Sequence, residues 1–139
     1  MDDCFDLRRF VDAQDPVYER VYGELRRGRK QSHWMWFVFP QLKGLGFSGM
    51  AQKFGIASRA EAEAYLAHPV LGPRLIECTE LVNAVEGRSI EHIFGDVDAM
   101  KFRSSITLFA QMSKAPGVFE AALEKYFGGE PDPLTLDRL

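Results

Sequence analysis

Between Val70 and Gly87 the residues Leu71, Leu75, Cys78, Val82 and Val85 recur at steps of three and four, which is the period of one face of an α-helix. A stripe of about four turns can be hidden only by packing other elements along it. Nowhere does a useful length of chain alternate apolar and polar residues as a half-buried strand must. Together these features confine the 139 residues to an all-α fold. WMWFVF, residues 34–39, is the one segment open to either a buried strand or a tight helical turn, because so short an apolar run has no readable period.

Local punctuation sets the other helices. In DPVYERVYGELRRG, Asp15 can cap the free amides, Pro16 fits the first turn, and Gly28 can close the helix in a left-handed conformation, with Val17, Val21 and Leu25 on one face. SRAEAEAYLAHP opens with Ser58 and Glu61 in capping-box spacing and stops before Pro69. Pro73 lies in the first turn of the next helix, where a missing amide costs nothing. Ser89 can cap a short helix, IEHIF, that ends at Gly95. A longer one runs from Asp96 or Asp98 to about Ser113, and VFEAALEKYF is closed by Gly128 and Gly129. The expectation is one domain over residues 1–139, of about six helices with irregular connections and with EPDPLTLDRL as an extended strap.

A chain of this length hides roughly two-thirds of its unfolded surface without a disulfide or a metal. The net charge of −3, from 17 basic and 20 acidic residues, supplies no overall basic field and so disfavours nucleic acid. Cys4 and Cys78 are too few and too differently placed for a disulfide framework, which suits a reducing cytoplasm. MDDCFDLRRF is acidic where a signal peptide is basic and then apolar, and no run approaches the roughly 18 apolar residues of a membrane span. A cytoplasmic protein away from membranes is expected.

HWMWFVFPQLKGLGFS crowds two tryptophans, three phenylalanines and a histidine before a glycine-rich stretch. Successive side chains point to different sides of a strand or a helix, so these rings cannot all face one core. Some ring surface must meet another element or a ligand; the plain alternative is an aromatic plug that only fills space. Lys30, Ser32, His33, Gln41, Lys43 and Ser48 lie close in sequence to Trp34 and Trp36, and Gly44, Gly46 and Gly49 let a backbone approach a guest. Rings for stacking, amides for phosphate and a basic rim suit a nucleotide-like molecule, although KGLGFSG matches neither a Walker A loop nor the dinucleotide fingerprint.

DVDAMKFRSSITLF is the second constellation. On a helical wheel Phe102, Ile106 and Phe109 form the core side, and Asp98, Lys101 and Ser105 fall on an adjoining stripe, as on a helix facing a pocket. The alternative is an ordinary intrahelical pair of Asp98 with Lys101 beside solvated serines. No two histidines have metal-ligand spacing, and neither a cofactor motif nor a nucleophile elbow is present.

RRGRKQSHWMWFVFPQLKGLGFS, EAEAYLAHPVLGPRL and DAMKFRSSITLF resemble the signature blocks of an uncharacterised bacterial family catalogued as domain of unknown function eighteen-ten. The resemblance runs from about Phe5 to Leu136 and implies a small all-α fold with no established activity. Its members often carry the label calpastatin. That label implies a long, disordered, polar protease inhibitor, whereas this chain is 46% hydrophobic and 12% aromatic.

MAQKF, the block HPVLGPRL and AMKFRSSITLF are also similar in order and spacing to the NADAR family, associated with NAD and ADP-ribose. That likeness implies an N-glycosidase-like hydrolase with Trp34 or Trp36 as a base-stacking wall and Lys101 on phosphate or ribose. The acidic residue of that pattern falls here near Gly46–Ser48, where no carboxylate stands. Glycosidic chemistry would then fall to Asp98 or Asp96, with His33 as the second catalytic candidate, because an oxocarbenium-like transition state needs a carboxylate. The competing expectation is a non-catalytic interaction module or homodimer that uses the aromatic segment.

Overall fold

The computed structural model describes residues 3–139; Met1 and Asp2, at the start of the acidic N-terminus, lie outside the described residues. Among the described residues ten helices follow one another: α1 (Arg8–Gln14), α2 (Tyr18–Arg26), α3 (Met35–Val38), α4 (Gly49–Lys53), α5 (Arg59–Ala67), α6 (Leu71–Asn83), α7 (Ile90–Phe94), α8 (Asp96–Ala110), α9 (Val118–Phe127) and α10 (Pro133–Asp137). The six expected helices are α2 and α5 to α9. The other four have at most seven residues, too short to show a helical period.

Helix α8 is the spine. Phe102, Ile106 and Phe109 are fully buried on it, and α5, α7, α9 and α10 pack around it. Helix α6 forms the second layer, against α2, α5 and α9. Its expected stripe is buried through Leu71, Leu75, Cys78 and Val82, while Val85, beyond the helix end, is only partly covered. A ring network joins the layers: Phe102 meets Phe39 edge-on and stacks with Phe94, each at 5.0 Å, and Tyr65 meets Phe10 edge-on at 5.0 Å. Such geometries add about 0.5–1.5 kcal/mol per pair beyond area burial.

The caps at Ser58 and Ser89 form as expected, accepting from the amides of Glu61 (3.1 Å) and His92 (3.2 Å). The Glu61 carboxylate reaches past the cap residue to the Ala57 amide at 2.9 Å, and it also binds Arg9. Asp15 does not cap α2. It lies in the preceding turn and pairs with Arg74 at 2.9 Å, and Val17 takes the cap position. The last segment is not an extended strap: Asp132 accepts from the Leu134 amide and Pro133 starts a helical turn.

WMWFVF becomes the single turn α3. Its rings point outward in several directions at once: Phe37 to Phe54, Phe39 to Phe102, Trp34 to Phe94. Only Trp36 stays half-buried. After α3 the chain pairs briefly with itself, as Ile56 donates to the Gln41 carbonyl (2.9 Å) and Lys43 to the Ile56 carbonyl (2.8 Å). That isolated parallel bridge closes the loop carrying α4 and holds Gln41 beside α8.

Candidate functional site

Trp36, Gln41 and Lys101 wall a narrow cleft of about 10 Å³ floored by Met35, Phe39 and Phe54. The Lys101 ammonium stands 5.1 Å from the centre of a Trp36 ring. Gln41 and Lys101 also line an adjoining groove of about 250 Å³ whose far side carries Arg103, Ser104 and Asp132. The cleft has room for about one water, and only cleft and groove together approach the lower end of the roughly 300–1,000 Å³ of ligand sites.

Behind the cleft Asp98 is shared by two lysines. One oxygen is 2.9 Å from Lys30, the other 3.7 Å from Lys101, one turn along α8. The Lys30 stem is nearly covered, and its ammonium lies 5.2 Å from a Trp34 ring. Each tryptophan therefore carries a lysine over it, and both lysines meet one carboxylate.

Lys30 owes its position to a residue that the sequence reading did not single out. Glu24 on α2 is 2% exposed. It accepts from the amides of Gln31 (2.7 Å) and Ser32 (3.0 Å), the Ser32 hydroxyl (2.6 Å) and the Trp34 indole (2.9 Å). Burial pushes its carboxyl upward, but the bonds from Ser32, Gln31 and Trp34 outweigh that and hold it at about 2. Its signal was present in the sequence: Glu24 falls between Val21 and Leu25, on the apolar face of α2.

The sequence-derived residues divide as follows. Lys30, Trp36, Gln41, Asp98 and Lys101 come together. Ser32 and Trp34 serve the Glu24 network, and Trp34, 1% exposed, offers no face for stacking. His33 is exposed and makes no hydrogen bond. Lys43 points to solvent beyond the bridge, and Ser48 caps α4 by accepting from Ala51 at 3.1 Å. Gly44, at φ +99°, lets Arg138 lie across the loop, because a β-carbon there would stand 2.9 Å from its guanidinium. Ser105 does not share the partly buried stripe of Asp98 and Lys101: it is fully buried and its hydroxyl has no partner. Ser104 holds the groove instead, donating to Asp132 at 2.7 Å, a role invisible before the position of α10 is known.

A larger concavity lies between α1 and the α5–α6 turn, with Asp3, Arg8 and His68 as its polar lining. Asp3 there accepts from the amides of Leu7 and Arg8, and His68 Nδ1 accepts from those of Val70 and Leu71.

Fold and cleft together define a small helical domain with a lysine-faced aromatic cleft. The chain belongs to the family described as Protein of unknown function (DUF1810), which it matches over residues 4–139. It is similar to the crystal structure of the conserved hypothetical protein Rv1873 from Mycobacterium tuberculosis, at 60% identity and a TM-score of 0.97, over 99% of this chain and 98% of that one. No curated protein matches the chain. Among the described residues no helix is long and apolar enough to cross a membrane, and no three His, Cys, Asp or Glu side chains are grouped to hold a metal ion.

Proposed function

We propose that the cleft binds a nucleotide-like small molecule derived from NAD or ADP-ribose. The observation that carries this reading is the half-buried face of Trp36 with the Lys101 ammonium above it, at the mouth of a groove that Arg103 also lines. A flat, electron-poor ring gains by stacking on an indole, and a phosphate gains by reaching a lysine and a guanidinium. Gln41 supplies an amide that both donates and accepts, suited to a base edge or a ribose hydroxyl.

Tryptophan fluorescence during titration with ADP-ribose and NAD tests this. Trp36 quenches as ligand fills the cleft, and Trp36→Phe and Lys101→Ala each weaken binding at least about tenfold, or about 1.4 kcal/mol. No response at ~1 mM ligand, a bound-state free energy of only about −4 kcal/mol, overturns the proposal. N-glycosidase-like hydrolysis is the finer form. It would use Asp98, the carboxylate bonded to the cleft's lysine, and it predicts nicotinamide release from NAD that Asp98→Asn abolishes.

One observation favours an interaction module instead. Val97, Met100 and Leu134 on the groove rim are 68%, 72% and 63% exposed, an apolar surface of the kind that meets another chain. The aromatic segment cannot itself serve as that surface, since Trp34, Phe37 and Phe39 are buried. A light-scattering mass of twice the monomer, returned to one copy by Met100→Lys, would support this second reading.

A further inference from the structure

Seven of the basic side chains lie within 4.0 Å of a carboxylate. Arg20, Arg26, Arg27, Arg29 and Arg88 are not among them, and all five are exposed. They are gathered at one end of the molecule. Arg20 and Arg26 lie on α2 and Arg27 caps its end, and the Arg27 guanidinium folds back to within 3.3 Å of where a β-carbon on Gly23 would stand, one turn from Arg20. Arg29 follows Gly28, and the Arg88 stem lies 3.4 Å from a β-carbon position on Gly28. Five of the ten basic residues outside those pairs are thus grouped at one end of a chain whose net charge is −3.

The arginines stand on a rigid base. Gly28 takes φ +74°, its amide donates to Leu25 at 3.0 Å and the Arg29 amide donates to Glu24 at 3.0 Å, the two crossed bonds of a Schellman turn. Charges at a helix C-terminus also favour the helix dipole, which accounts for Arg26 and Arg27 but not for Arg20, in the first turn, or Arg88, on another segment. Glu19 is the acidic residue of the same exposed helix face.

We infer that this arginine face binds the phosphate backbone of a nucleic acid. Guanidinium forks match phosphate oxygens two at a time, and the face is a convex helix and turn rather than a groove for a peptide. It has no row of apolar side chains to enter a lipid surface; Tyr22, 36% exposed, is its one large ring. The inference stands apart from the proposed cleft function, since none of the five arginines lines the cleft.

Fluorescence anisotropy of a fluorescein-labelled DNA of ~20 nucleotides, as single strand and as duplex, tests it in low salt. Binding is expected to weaken with salt at a log–log slope near −0.9 per phosphate on the duplex and −0.7 on the single strand, about three to five contacts in all; the arm with the tighter binding identifies the form. Arg26→Gln/Arg29→Gln is expected to weaken binding at least about tenfold and to lower the slope by about two units. Lys53→Gln/Lys114→Gln removes the same charge from exposed positions elsewhere and is expected to change neither. Both double variants alter exposed side chains, and thermal unfolding checks that each is folded. No binding by the wild type to either DNA, equal loss in both double variants, or polyglutamate competing as well as DNA overturns the inference.

Discussion

Glu24 illustrates how one buried charge can organise a site it does not enter. Its two oxygens collect four donors from the chain between Gln31 and Trp34, so the segment that delivers Lys30 and the indoles is tied to α2. Glu24→Ala leaves two amides and the Trp34 indole unpaired in the interior and is expected to cost about 3 kcal/mol or more in urea unfolding at neutral pH. Glu24→Gln keeps one carbonyl oxygen for three of the donors and is expected to cost less, about 1–2 kcal/mol. The carboxyl is held down, from 4.5 to about 2, so its contribution is complete above pH 4.5 and is lost as pH falls from about 4.5 to 2, on the order of 3 kcal/mol. Wild type should therefore lose stability through that window more steeply than Glu24→Gln, and parallel curves would refute the assignment. The two indoles should separate in the same experiment. Trp34→Ala opens a cavity in the ring network and is expected to cost about 3–5 kcal/mol, whereas Trp36→Ala, at a half-buried position, costs clearly less.

At the scale of helices, the α5–α6 corner depends on one absent side chain. A β-carbon on Gly72 would stand 2.1 Å from the Leu66 carbonyl oxygen, a clash with backbone that only displacement of α6 relieves. Gly72→Ala is expected to destabilise by about 2–3 kcal/mol or more, even though alanine is the better helix former; a thermal midpoint equal to that of wild type would refute this. Ser58→Ala should cost about 1 kcal/mol through the lost cap, read the same way. These elements also show what was legible in the sequence. The α6 stripe, the Ser58 and Ser89 caps and the glycine stops at Gly28, Gly95 and Gly128 are local chemistry, readable within a few residues. The turns α3 and α4 and the tail helix α10 were less so, because each spans little more than one helical turn, and α10 is held by a distant partner, Thr107, whose hydroxyl oxygen accepts from the Asp132 amide. Asp15 illustrates the same limit, since Arg74, nearly sixty residues away, draws it out of the capping role that its position suggested.

Over the whole molecule, the helical class was set by periodicity, and the meeting of Trp36 with Lys101 by two separate stripes that had to face something. What the sequence did not contain was the distance between them. Ser105 fell on the stripe by angle, but the packing of α8 drew it inside, and Asp132 and Arg103 joined the groove only because the tail returns to α8. Global folding also separates the two thiols: Cys4 is exposed and Cys78 is buried, where burial raises its thiol to about 12. In the native state a disulfide-exchange reagent should therefore consume one thiol quickly and the second only at the rate of unfolding; two fast equivalents would refute the packing. The shared carboxylate of Asp98 has a last consequence. An incoming anion finds the two lysines already sharing one resident carboxylate, which offsets one of their two charges, so chloride or a lone monoanion gains less there than at a bare lysine pair. Under the proposed function, a visitor that also brings a flat surface for the indole has the advantage, and the cleft would screen its guests by asking for two credentials at once.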